Sequence, residues 1–118
     1  MSWKKEIEEI KSRKLLARQL GGKEKVNRQH SSGKLTVRER ISYLVDNNSF
    51  NEIGILAGNS KYNDKGDLLN ITPANSVIGQ ATINNLPVII YGDDFTIRGG
   101  ASDAAIWEKM ITAERFAN

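Results

Sequence analysis

The chain of 118 residues has no cysteine, only two prolines and a single histidine, His30. Without thiols there is no disulfide framework, no thiolate metal site and no cysteine nucleophile, a composition suited to a reducing cytoplasm. Long hydrophobic runs are missing as well. The longest, Leu86 to Tyr91, falls far short of the ~20 residues needed to cross a bilayer. The opening stretch MSWKKEIEEIKSRK alternates charge signs and has no apolar core, so no signal peptide, no membrane association and a cytoplasmic location are expected. What is present is ordinary for a soluble domain: 39% hydrophobic and 26% charged residues, in a length that allows one domain with a modest core.

Charge is unevenly spread. Residues 1–40 carry twelve Lys/Arg against five Asp/Glu, whereas residues 41–118 carry five against nine. A basic half of this kind is either a solvated helix face or a surface for a polyanion. Nucleic acid and the phosphates of a cofactor such as coenzyme A are both polyanions, and composition does not choose between them.

Trp3, Ile7, Ile10, Leu16 and Leu20 recur at helical spacing, predicting a helix from Trp3 to Leu20 with Ser2 as N-cap and Gly21-Gly22 as its stop. Lys23 to Gly33 is polar, with at most a helical turn around Val26 to Gln29. Thr36-Val37-Arg38-Glu39 has the spacing of a capping box and opens a second helix, with Ile41, Leu44 and Val45 on its buried face and Asp46-Asn47-Asn48 at its end. The period then changes. Ile53, Ile55 and Ala57 alternate as a short strand, and Gly58 to Pro73, rich in Asn, Asp, Gly and Lys, reads as an exposed loop. Val77–Ile83 and Pro87–Tyr91 are strand candidates joined by a tight Asn84-Asn85 turn. Because Val88 to Tyr91 lacks alternation, both of its faces are expected to be covered. A last helix is predicted from Ser102 onward, with Ile106, Met110, Ala113 and Ala117 on one stripe. Trp3 and Trp107 read as core or interface anchors.

The segment richest in chemistry is Tyr91-Gly92-Asp93-Asp94-Phe95-Thr96-Ile97-Arg98-Gly99-Gly100-Ala101-Ser102. Paired glycines leading into a helix let a ligand approach the backbone, with free amides and the positive helix end behind them. Such a corner suits a thioester oxygen or a phosphate; it is equally a strand-to-helix bend with no ligand, and spacing alone leaves both open. His30 invites a general-base reading, but no carboxylate stands at helical spacing from it, so a structural or surface role is expected. Arg38 and Arg40 read as a solvated helix face, or else as contacts for phosphates or a partner subunit. Asp93 and Asp94, adjacent in an extended segment, point to opposite faces and make no metal pair.

Several blocks in register resemble one family. Leu20-Gly21-Gly22-Lys23-Glu24-Lys25, Gln29 to Ile41, Ser49-Phe50-Asn51-Glu52, Val77-Ile78-Gly79, Thr82-Ile83-Asn84, and Asp93-Asp94-Phe95-Thr96 with Arg98-Gly99-Gly100 look like the opening of the carboxyltransferase (beta) subunits of biotin-dependent propionyl-, methylcrotonyl- and acetyl-CoA carboxylases. Asn47-Asn48 stands where the family often has Pro-Gly, and Ala74-Asn75 where it has Gly-Asp. The resemblance implies an α+β fold: an N-terminal helical arm (1–46), then the first strand–strand–helix unit of a crotonase-like (ClpP/crotonase) core (50–118), incomplete over this length. It also implies transfer of a carboxyl group from carboxybiotin, held on a separate carrier, to an acyl-CoA. The family's turn around coenzyme A maps onto Phe95, Thr96, Arg98, Gly99, Gly100, Ala101 and Ser102, with no metal. The implied partners are the acyl-CoA, the remainder of the carboxyltransferase, the biotin carrier, biotin carboxylase and further copies of the chain. The family's second glycine pair and C-terminal domain lie outside these residues, so the chain by itself is expected to be inactive. Two rival readings are a related biotin-dependent decarboxylase subunit, and a non-catalytic interaction module whose basic arm binds a partner subunit or, less favoured, nucleic acid.

Overall fold

A computed structural model of the chain describes residues 2–97, 99 and 106–118. Three helices come first: α1 (Lys4–Ala17), α2 (Lys23–Ser31) and α3 (Val37–Leu44). Five strands follow, β1 (Asn51–Ile53), β2 (Gly58–Tyr62), β3 (Leu68–Pro73), β4 (Ser76–Ile83) and β5 (Leu86–Asp93), and then α4 (Trp107–Ala117). The strands form an antiparallel three-stranded sheet in the order β1-β4-β5 and a separate β2-β3 hairpin.

The central strand β4 explains where the core lies. Its pleat sends Val77, Gly79 and Ala81 to one face, opposite Gly92, Ile90 and Val88 of β5. Leu20 from the α1–α2 corner and Val37 and Ile41 of α3 close over that face, forming one buried cluster with Val77, Ala81 and Ile90. The other face carries Ile78, 1% exposed. There α4 brings the buried Ala113 against the sheet. Lys109 is also buried on α4, and its Nζ donates to the Ser76 carbonyl at 2.5 Å. Burial pulls the Lys109 pKa below its ordinary value, opposed by the negative charge of Glu52.

The β4–β5 hairpin turns at Asn84-Asn85 as expected, with φ of 51° and 65°. Its stop is set by a residue from the end of α3. Asp46 accepts from the Thr82 hydroxyl at 2.7 Å and from the Asn84 and Asn85 amides at 3.0 and 2.9 Å. The Thr82 bond, then that of Asn85, holds the Asp46 carboxyl below its usual range. The capping box of α3 is also present, with Thr36 Oγ1 accepting from the Glu39 amide at 3.3 Å and the Glu39 carboxylate accepting from the Thr36 amide.

Several expectations fail for identifiable reasons. Gly58 to Pro73 is a paired hairpin, not a loop. Its register runs from Gly58 opposite Pro73 to Tyr62 opposite Leu68, with a bulge at Lys61/Tyr62. Only Ile71 of its two strands is buried, so the hairpin rests on backbone pairing and an Asx turn at Asn63 rather than on hydrophobic alternation. α2 is a nine-residue helix with no buried residue, which is why periodicity gave only a turn. The first strand stops at Ile53, because Gly54 (φ 73°) enters a turn closed by the Ala57 amide on its carbonyl. α1 takes Trp3, not Ser2, as N-cap and ends through the left-handed Leu20 (φ 57°). Only the far end of its stripe is covered: Ala17 and Leu20 are buried while Trp3, Ile7 and Ile10 are exposed. β5 is not covered on both faces throughout: Ile90 is buried, whereas the following Tyr91 points outward and is exposed. Trp107 is exposed too, and α4 begins there after the extended Ile106; the expected start at Ser102 lies outside the described residues.

β1 and β4 approach closely because Gly79 has no side chain. A β-carbon there would stand 2.4 Å from the Asn51 carbonyl oxygen and 2.6 Å from the Phe50 ring. Gly79→Ala is expected to cost about 1–3 kcal/mol of stability, read as a lowered urea midpoint. An unchanged midpoint would mean the strands are not this close.

Candidate functional site

The N-terminal helices meet the strand-to-helix loop at the α1–α2 corner. Gly21 sits so close to the end of β5 that a β-carbon would lie 2.1 Å from the Thr96 carbonyl oxygen, a separation only glycine allows. The Gly21 amide donates to Thr96 Oγ1 at 2.9 Å. That hydroxyl in turn donates to Asp94 Oδ1 at 2.6 Å, which also accepts from the Thr96 amide at 2.9 Å. Asp94 is 1% exposed, and its Oδ2 has no hydrogen-bond partner among the described residues.

From this corner α2 runs out over the loop. Its orientation depends on its ends, since no residue of it is buried and only Val26 packs against the core. At the far end Gln29 Nε2 donates to the Leu35 carbonyl at 2.8 Å. His30 Nε2 stands 2.5 Å from Glu39 Oε1. Hydrogen bonds from His30 and then Thr36 hold the Glu39 carboxyl below its usual range. His30 therefore does have a carboxylate neighbour, supplied by the next helix. The structural role expected of it takes the form of a tie from α2 to α3.

Between α2 and the loop lies an open cleft of about 280 Å³, lined by Lys25, Arg28, Gln29, Ser32 and Lys34 on one side and Phe95, Thr96 and Gly99 on the other. Lys34 Nζ is 5.8 Å from the centroid of the Phe95 ring, within cation–π reach, and Phe95 is 61% exposed. Arg28 shares its charge with Glu24 at 3.6 Å, an exposed pair that binds weakly. Three cations and an exposed aromatic face around a backbone bend can hold a phosphate ester and stack a planar ring. Gly99 has φ 59°, and a β-carbon there would meet the Phe95 ring at 3.7 Å.

Of the residues singled out in the sequence, Phe95, Thr96 and Gly99 line this cleft, whereas Arg98, Gly100, Ala101 and Ser102 lie outside the described residues. Arg38 is not part of a solvated face. It makes a bidentate pair with Glu52, at 2.5 and 3.0 Å, with side chains 23% and 12% exposed. Arg40 is exposed. Asp93 is exposed and Asp94 buried, as their opposite faces require, and no metal-binding group of His, Asp and Glu occurs among the described residues. Sequence reasoning missed Lys25, Arg28 and Lys34. The available signal was their place in the basic half: Lys25 and Arg28 between Gly22 and Gly33, and Lys34 just after Gly33.

A family profile described as "Carboxyl transferase domain" matches residues 28–118. Among curated proteins, the chain is 38% identical over 97 residues to a propionyl-CoA carboxylase beta chain of Cereibacter sphaeroides, covering 80% of this chain and 19% of that protein. It is 35% identical over 117 residues to a methylmalonyl-CoA decarboxylase subunit alpha of Propionigenium modestum, covering 96% and 22%. The fold is similar to a crystal structure of transcarboxylase 12S described as a hexamer with methylmalonyl-coenzyme A and methylmalonic acid bound. The TM-score is 0.78 at 27% identity, over 98% of this chain and 23% of that one. The chain thus spans about a fifth of the length of the curated relatives it matches.

The His30–Glu39 tie has a pH signature. Because the folded-state pKa of Glu39 is depressed, its contribution to stability is complete above the unfolded value and is lost as pH falls through the folded one. The Glu39 carboxyl resonance is expected to titrate below 4.5, with faster exchange of the Thr36 and Glu39 amides appearing over the same range. A midpoint in the ordinary glutamate range would refute the tie.

Proposed function

The chain belongs to the carboxyl transferase domain family, and on that premise we propose that it is the portion of a carboxyltransferase that holds the nucleotide end of an acyl-CoA. The observation that carries this is the cleft between α2 and the Phe95–Gly99 loop, where Lys25, Arg28 and Lys34 face Phe95, Thr96 and Gly99. Coenzyme A ends in a purine and three phosphates. The cations match the phosphates in charge, and the Phe95 face suits the ring. In carboxyl transfer to an acyl-CoA, stabilising the enolate depends on where the thioester carbonyl lies, so a firm grip on the distant nucleotide serves the chemistry by orienting the acyl end.

The reaction proposed is transfer of a carboxyl group from carboxybiotin, carried on a separate protein, to the acyl-CoA. The described residues offer a cleft for the nucleotide and no side-chain set addressed to biotin. The proposed partners are the remainder of the carboxyltransferase, the biotin carrier, biotin carboxylase and further copies of the chain, in the cytoplasm. No helix among the described residues is long and apolar enough to cross a membrane. A second reading, a biotin-dependent decarboxylase subunit, is supported by the likeness to the methylmalonyl-CoA decarboxylase subunit over 96% of the chain. Both readings place the same ligand in the same cleft.

Titration of the labelled chain with coenzyme A, followed by NMR, tests this. Shifts are expected at Lys25, Arg28, Phe95 and Gly99, and Lys25→Glu with Lys34→Glu should weaken binding by roughly tenfold or more. Binding of a random RNA with a steep salt dependence, and none of coenzyme A, would favour the interaction-module reading and overturn this one.

A further inference from the structure

The cationic wall of the cleft is anchored by a contact at the start of α2, away from its charged side chains. α2 has no buried residue, yet it must hold Lys25 and Arg28 at a set distance from Phe95. At its start, the Gly21 amide, the Thr96 hydroxyl and the Asp94 carboxylate form a relay with steps of 2.9 and 2.6 Å. Thr96 is 5% and Asp94 1% exposed, so water is kept from the Thr96–Asp94 bond, and loss of the hydroxyl strands the buried Asp94 carboxylate. Thr96 thus joins the two walls of the cleft: its hydroxyl binds the helical corner, while its backbone belongs to the loop. Asp94 in turn fixes that hydroxyl by orienting its proton toward Oδ1, which leaves the oxygen lone pair for Gly21.

We infer that Thr96, oriented by Asp94, is a positioning residue that sets the width of the nucleotide cleft by locking the α1–α2 corner to the loop after β5. The inference rests on the reading of that cleft as a coenzyme A site. Its distinctive consequence is selective. Releasing the corner moves the cationic wall away from the loop, so affinity for the charged end of the ligand falls while contacts with the rest of it remain.

The test compares the protein with Thr96→Val, which keeps the shape and loses the hydroxyl, and Thr96→Ser, which keeps the hydroxyl. Gly21→Ala serves as an independent variant, since its methyl group would wedge the corner off the Thr96 carbonyl. Coenzyme A and 3′-dephospho-coenzyme A are titrated into each, and amide exchange of Gly21 is followed without ligand. The wild type and Thr96→Ser should protect the Gly21 amide and prefer coenzyme A. Thr96→Val should lose the protection and bind coenzyme A about tenfold more weakly, with its preference over the dephospho form largely gone. Gly21→Ala should lose the preference as well. Meanwhile the β4–β5 cross-peaks stay in place, showing that the sheet is still folded. Protection of Gly21 surviving in Thr96→Val, or affinity falling equally for both ligands, would overturn the inference while leaving the cleft assignment intact. A wild type that binds neither ligand would overturn both.

Discussion

Gly21 and Thr96, 75 residues apart in the chain, meet backbone against backbone. That approach decides how the helical arm sits on the sheet. Leu20, on one side of the contact, enters the core with Val77 and Ile90; Gly22, on the other, starts α2 over the loop. A side chain at position 21 would force the corner outward and uncover Leu20 and Ala17 together. The same contact therefore joins hydrophobic burial on one side to the charged cleft on the other.

The fold handles buried and half-buried charge in three different ways. Arg38 and Glu52 neutralise each other with two aligned bonds between α3 and β1, and removing either partner would strand the other. Among the described residues, Asp94 is satisfied on one oxygen only. Lys109 buries its ammonium group against the Ser76 carbonyl and is pulled toward its neutral form. Paired charges of this kind fix which surfaces meet more than they add to stability. α3, β1 and α4 accordingly converge on one region of the sheet through Arg38, Glu52 and Lys109.

How much could be read in advance varied with the kind of signal. Thr36 and Glu39 are close in sequence, and their capping box stood as read because both partners lie within one helical turn. Asn84-Asn85 behaved likewise, since tolerance of positive φ belongs to the residue itself. The polar hairpin β2–β3 and the polar helix α2 were not legible, because neither buries a periodic face, and both are held by backbone bonds and end contacts that leave little trace in composition. His30 looked isolated for the same reason: its partner Glu39 lies on another helix. In the cleft, Phe95, Thr96 and Gly99 were marked by their glycine-rich context, whereas Lys25, Arg28 and Lys34 were three among many cations of the basic half.

From the sequence alone came the family resemblance, the α+β class and the β4–β5 hairpin, along with the loop after β5 as the proposed meeting place of backbone and ligand. These rest on local chemistry: glycine and asparagine torsions, capping spacings and the change of period from helix to strand. Which cations face that loop, which carboxylate pairs with Arg38 and His30, and which strands stand at the edge were decided only by tertiary structure. Each depends on bringing distant segments within a few ångströms, and hydrogen bonds and ion pairs act only over that range.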